Sequence, residues 1–275
     1  MNTKIKDPFK IGTPDLKYYA FDWDDNIVHM PTKIILLNDK GEEVEMSTED
    51  FATYREKIGE TSFNYLGDTI VDYSEDPFRF FGVHGDKQFL KDSLKARIGP
   101  AWNDFKESIN NGSIFAIITA RGHNPNTIKE GIYNYIINGF NGIDKESLIK
   151  NLKKYRSFTD EDDMTDNELI KSYLELNKYH PVSFGDEEGA ANPEVAKVKA
   201  MEGFVDYIKA MAGILNKRAF LKNDVSNKFV PSKISIGFSD DDLRNVELMS
   251  KHFKKKPDNI VKTYSTSGGI KKEYK

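Results

Sequence analysis

The chain has 275 residues, 38% of them hydrophobic and 31% charged, with a formal net charge of -4 and a pI near 5.8. Such a chain can bury a sizeable core, and its charge implies no general attraction to nucleic acid or to an anionic membrane. The absence of cysteine excludes disulfides, thiolate zinc sites and cysteine nucleophiles, and fits a reducing, cytoplasmic setting.

Residues 1 to 16 are polar, carry Pro8 and Pro14, and read as an irregular lead-in without the apolar core of a signal peptide. No run reaches membrane-spanning length, so no membrane partner is expected. Tyr18-Tyr19-Ala20-Phe21 then reads as a short strand buried on both faces, followed by the acidic turn Asp22-Trp23-Asp24-Asp25-Asn26. Asp22 and Asp24 are two apart, so they share a face for as long as the backbone stays extended. Two such carboxylates repel unless a cation or a proton lies between them, and a hard divalent cation with oxygen ligands suits the pair. The plainer reading is a solvated Asx-turn.

Lys33–Leu37 and Glu43–Met46 flank the turn sequence Asn38-Asp39-Lys40-Gly41 and predict a β-hairpin. Ser47 with Asp50 resembles a helix start, continued by Phe51, Tyr54 and Ile58. From there to Ile98 the chain is aromatic and acidic, and the expectation is a mostly helical insertion with a small aromatic core. Gly99-Pro100 ends it and opens a helix lined by Trp102, Phe105 and Ile109. Ile114–Ile118 is a clear buried strand ending in Thr119-Ala120-Arg121-Gly122-His123. Asn124 and Pro125 start the next helix.

Residues 140 to 180 predict one or two peripheral helices, the second with a Thr165/Glu168 capping box, around the acidic loop Asp160–Asp163. Pro181–Phe184 is a short strand candidate. Pro193 opens a long amphipathic helix through Val198, Met201, Val205 and Ile208, with Lys197 and Lys199 near its start and on its polar side. Ile234–Phe238 is another strand, ending in Ser239-Asp240-Asp241-Asp242. A further helix, a last strand over Asn259–Tyr264 and a Ser/Gly/Lys tail complete the chain. Strand and helix alternate, which predicts a layered α/β fold with helices on both faces of a parallel sheet.

In a parallel sheet the carboxyl ends of the strands open at one edge. Asp22 and Asp24, Thr119, and Asp240 and Asp241 end three such strands, with Lys197 or Lys199 between the last two in sequence. This ordered set resembles the haloacid dehalogenase (HAD) superfamily of phosphohydrolases, over roughly residues 17 to 264. The resemblance implies a Rossmann-like core over 1–32 and 99–275. It also implies a flap hairpin and a C1-type cap insertion over 33–98.

It further implies Asp22 as a nucleophile that forms an aspartyl-phosphate and Asp24 as the proton-transfer residue. Mg²⁺ would be held by Asp22, the Asp24 carbonyl, Asp240 and Asp241. Thr119 and one lysine, Lys197 before Lys199, would contact the phosphoryl oxygens, and Arg121 the phosphate or substrate. The acidic cluster admits two registers, Asp240 with Asp241 or Asp241 with Asn245.

The implied substrate is a small phosphomonoester, with nucleotides, sugar phosphates and nucleic-acid 3′ ends all open. His29, His84, His123, His180 and His252 show no metal-ligand spacing, and His123 is expected on a surface loop. A non-catalytic protein of the same fold is a second reading, although the intact Asp22/Asp24 pair opposes it. A metal-dependent glycosyltransferase is a third, opposed by the short stretch before Asp22.

Overall fold

Leu16–Phe21 (β1) forms a strand whose alternate residues serve two cores, Tyr18 and Ala20 on one face and Tyr19 and Phe21 on the other. A computed structural model of the chain describes residues 16–156, 164–222, 233–258 and 260–275. After β1 come Val28–His29 (β2), Ile34–Asn38 (β3), Glu43–Met46 (β4), Thr48–Tyr54 (α1), Phe63–Tyr65 (β5), Asp68–Tyr73 (β6), Asp86–Ser93 (α2) and Arg97–Ile98 (β7). Next are Trp102–Asn110 (α3), Phe115–Thr119 (β8), Pro125–Asn138 (α4), Lys145–Arg156 (α5), Asp166–Leu176 (α6) and Lys178–Pro181 (β9). The chain ends with Glu187–Ala191 (α7), Pro193–Lys222 (α8), Ile234–Asp240 (β10), Leu243–Phe253 (α9), Val261–Ser265 (β11) and Lys272–Tyr274 (β12).

Six strands make one sheet in the order β12-β11-β10-β1-β8-β9, parallel except for β12. Helices cover both faces, as an apolar parallel sheet requires. Phe21, Phe115 and Ile117 pack against α3, α4, α5 and α6, while Ala20, Ile118, Ile236 and Phe238 pack against α8 and α9. The protein is therefore an α/β molecule with a mostly parallel sheet between helices, compatible with a Rossmann-like fold. Because β1, β8, β9, β10 and β11 run the same way, their carboxyl ends share one rim.

The segment between β2 and β7 departs from expectation. Its ends are tied by the antiparallel β2–β7 pair, and the hairpin of β3 and β4 forms as the sequence predicts. The remainder is not mostly helical: β5 and β6 complete a four-stranded antiparallel sheet, β4-β3-β6-β5, with α1 against it. The cause is visible in the residues. Phe63-Asn64-Tyr65 and Thr69 to Tyr73 are rich in aromatic and β-branched residues, and Leu66 and Gly67 between them take φ of 53° and 101°. Two central residues at positive φ make the two-residue turn that suits a hairpin, and Gly67 supplies it without strain. Ile34, Leu36, Met46, Ile58, Tyr65 and Ile70 form a separate core for this insertion.

Three smaller expectations also shift. The strand expected at Pro181–Phe184 lies earlier, in β9, where Ala116 through Thr119 pair with Lys178 through Pro181. Pro181 has no N–H to continue a ladder, and an edge strand need not be apolar. The Ser/Gly/Lys tail carries a strand that was not expected, β12, which adds antiparallel to β11, and Lys271 anchors it by an ion pair to Asp104. The 140–180 helices are less peripheral than predicted, for Leu148, Leu169, Ile170, Tyr173 and Leu174 all enter the larger core. The Thr165/Glu168 capping box forms as read. Asp160–Asp163 and Asn259 lie outside the described residues.

Candidate active site

Parity along the strands decides which acids meet. Asp22 follows Phe21 on the side of Ala20, and Asp240 follows Ser239 on the side of Phe238, so both turn towards α8. The register pairs Phe21 with Ser239, and the Asp22 N–H donates to the Ser239 carbonyl at 2.9 Å. Lys197 is not on the polar side of α8 as expected but on the stripe that continues through Met201, Phe204, Val205 and Ile208, which buries its stem. Its ammonium donates to Asp22 Oδ1 at 3.0 Å and to Asp240 Oδ2 at 2.8 Å. Lys199, two residues on, faces the other way. It is 67% exposed, lies 4.0 Å from Glu188, and lines a separate cavity of about 280 Å³ with His180 and Asn192.

The triple aspartate divides into three roles. Asp240 is fully buried and its two oxygens accept from Lys197, the Asp242 N–H and both contacts of the Asn245 amide. Asp242 caps α9 by accepting from the Arg244 N–H and also pairs with Arg55 at 2.9 Å. Asp241 accepts no side-chain hydrogen bond among the described residues. Its carboxylate groups with those of Asp22 and Asp240, the ligand atoms all lying within 4.8 Å of one another. The adjacent register, Asp240 with Asp241, is thus the one that gathers carboxylates, and Asn245 serves as a donor to Asp240.

Three carboxylates here face one ammonium. Burial, opposed by Lys197 and assisted by the charges of Asp240 and Asp24, pushes the Asp22 carboxyl up to about 8. Burial and the charges of Asp240 and Asp22 likewise push Asp241 well above the usual carboxylate range. Against the cost of its own burial, the charges of Asp22 and Asp240 hold the Lys197 ammonium well above its ordinary value. Excess negative charge on oxygen ligands alone is the donor set of a hard divalent cation, and these residues fit one.

Asp24 does not join that group. The extended backbone ends at the acidic turn, where Asp25 takes φ of 51° and the Ile27 N–H reaches back to the Trp23 carbonyl. Arg121 holds Asp24 in a bidentate pair, Nε to Oδ2 and Nη2 to Oδ1, each 2.7 Å. The Asp24 carbonyl, an expected cation ligand, accepts from the Asn26 N–H at 2.6 Å. Arg121 itself is 2% exposed, so its guanidinium lies inside the protein rather than in solvent. Its guanidinium lies 4.5 Å from the Phe81 ring centroid and 5.4 Å from that of Phe89, and it also donates to Thr32 and His123.

Thr119 ends β8 two residues past the Phe21–Ile117 pair, at the shared rim. It is buried, and its hydroxyl accepts from the Arg121 N–H at 3.3 Å. His123 is fully buried rather than on a surface loop, between Arg121 and Asp86. Burial first, then Arg121, pushes its imidazole down to about 4, against the pull of Asp86. No spacing in the sequence signals that contact, because Asp86 belongs to the insertion.

Asn26, which no motif marks as a site residue, ties the rim together. Its buried amide donates to the carbonyls of Asp22 and Ser239 and to the Ser239 hydroxyl, and it accepts from Thr266. Gly99 packs on the same residue, where a Cβ would fall 2.5 Å from the Asn26 carbonyl oxygen. A second mixed group, Asp25, His29 and Glu49, also has its ligand atoms within 4.8 Å. The i, i+4 spacing of Asp25 and His29 was its only trace in sequence.

No protein-family model, curated protein or solved structure matches the chain. Among the described residues, no helix is long and apolar enough to cross a membrane.

Proposed function

We propose that this protein is a divalent-cation-dependent phosphomonoesterase of the HAD type that works through an aspartyl-phosphate on Asp22. The observation that carries the reading is the convergence of Asp22, Asp240, Asp241 and Lys197 at the carboxyl ends of neighbouring parallel strands, with a carboxylate excess at their centre. Asp22, Asp240 and Asp241 would hold the cation, with Mg²⁺ the first choice for an all-oxygen set. When bound, it supplies positive charge that offsets the phosphoryl oxygens.

Asp22 attacks phosphorus in line, and the bond to the leaving oxygen breaks as the aspartyl-phosphate forms. Asp24 delivers a proton to that oxygen, then removes one from the water that hydrolyses the acyl phosphate. Lys197 and the Thr119 hydroxyl would be the donors that offset charge on the transferring group. Nucleotides, sugar phosphates and nucleic-acid 3′ ends are the candidate phosphomonoesters.

The test is hydrolysis of a chromogenic aryl phosphate by the wild type and by Asp22→Asn, each in Mg²⁺ and in EDTA. Turnover by the wild type in Mg²⁺ alone is the expected result. Equal rates for the two proteins contradict the reading.

A further inference from the structure

Arg121 is a buried cation with almost every donor engaged, and the groups that engage it come from distant parts of the chain. Nε and Nη2 grip Asp24 after β1, Nη2 also reaches Thr32 at 3.3 Å, and Nη1 meets His123 Nε2 at 3.1 Å. An arginine carries only donors, so His123 Nε2 must accept there. The ring proton therefore sits on Nδ1, where it is donated to Asp86 Oδ1 at 2.9 Å. The imidazole is neutral and its tautomer is fixed from both sides.

Asp86 is the first residue of α2, inside the insertion. The same part of the insertion also ties the loop after β8 by backbone, since the Gly122 N–H donates to the Phe81 carbonyl at 2.8 Å. Phe89 of α2 lies tilted against the His123 ring, with centroids 4.7 Å apart. Thus the insertion fixes the imidazole, the imidazole fixes one end of the guanidinium, and the guanidinium fixes both oxygens of Asp24.

We propose that Asp86, His123 and Arg121 form a positioning chain through which the insertion sets the orientation of the Asp24 carboxylate at the rim. The proposal rests on the reading of Asp24 as the proton-transfer residue. It deepens that reading by making the insertion a working part of the catalytic machinery rather than only a cover. A histidine in this position needs to be neutral, because a proton on Nε2 would confront the Arg121 N–H directly. Asp86 holds off that tautomer.

Two readouts separate this chain from the reading it rests on. The first needs no activity: NMR of the full-length protein follows the ring nitrogens of His123 and the solvent exchange of the Arg121 Nε–H. The wild type should show a single Nδ1–H tautomer and a slowly exchanging Nε–H. Asp86→Ala should admit the other tautomer and speed that exchange. The second is turnover of an aryl phosphate. Asp86→Ala should lower kcat about tenfold, the scale of a modestly misplaced proton-transfer group, with KM within about twofold.

His123→Gln, whose amide oxygen can still accept from Arg121, should retain more kcat than His123→Leu. It also serves as the second probe should Asp86→Ala fold poorly. Unchanged tautomer and unchanged Arg121 exchange in Asp86→Ala overturn the chain whatever the activity. An altered network with unaltered kcat overturns its positioning role. A wild type that shows the expected NMR signatures but hydrolyses no phosphomonoester removes the phosphatase reading, and with it the catalytic purpose of the chain.

Discussion

Asp22 and Asp24 are two residues apart and end in opposite electrostatic settings. Asp22 belongs to a group in which three carboxylates surround one ammonium, so the group is short of positive charge. Asp24 is matched one to one by a planar guanidinium, both oxygens paired at 2.7 Å. The first region suits an incoming cation; the second is already satisfied and suits a residue that must be held still. A single turn, bent at Asp25, is enough to send neighbouring acids to these two fates.

The largest expected effect breaks the first region. Lys197→Met leaves buried carboxylates without their partner and should destabilise the protein by about 3–5 kcal/mol in EDTA near neutral pH. Urea denaturation measures this, and added Mg²⁺ should recover part of the loss by binding the folded state. Breaking the second region should cost less. Arg121→Lys keeps the charge but loses the fork geometry, for an expected loss of about 1.5–3 kcal/mol with no recovery by Mg²⁺. Recovery in both variants would erase the distinction between the regions.

The pH response sharpens the comparison further. The native imidazole of His123 is pushed from 6.5 down to about 4, so between those values the unfolded chain binds a proton that the native chain does not. Stability contributed by this residue is therefore fully present above pH 6.5 and falls as pH drops towards 4, by at most about 3–4 kcal/mol. His123→Gln should flatten that slope in denaturation curves taken across the window. The smallest effect is a control in the insertion, remote from the contacts of either region. Leu66 is exposed at φ of 53°, so Leu66→Asn should raise stability by about 0.5–1 kcal/mol and leave the other responses as they are.

The first region was far more legible in the sequence than the second. Asp22, Asp240 and Asp241 end apolar strands whose parallel order brings their ends together, and that follows from hydrophobic pattern and connectivity. The burial of Lys197 was also written there, although both lysines read as polar-face residues. Lys197 keeps the 4-residue spacing to Met201 and Val205, whereas Lys199 lies on the opposite side of the helix. The aromatic and β-branched residues Phe63, Tyr65, Thr69, Ile70, Val71 and Tyr73, split by Leu66-Gly67, likewise carry the hairpin that the helical expectation for the insertion misses.

The contacts of Arg121 were not legible. They join a turn after β1, a loop after β8 and a helix inside the insertion, and no periodicity links side chains from three such places. Arg121 and His123 follow a strand end, where a polar residue reads as exposed. Only the packing of the insertion, through Phe81, Phe89 and Asp86, makes that place an interior. Asn26 is illegible for a related reason, since its partners Ser239, in β10, and Thr266, just past the end of β11, lie far along the chain.

The division of labour between the two aspartates is tested most directly by trapping the covalent intermediate. Asp24→Asn, mixed with an aryl phosphate and Mg²⁺ and quenched in acid, should accumulate a phosphoryl group on the peptide carrying Asp22, because the water that releases it has lost its base. The wild type should show far less, and Asp22→Asn none. A phosphoryl group on another residue, or none in Asp24→Asn while it still turns over substrate, would contradict the assignment.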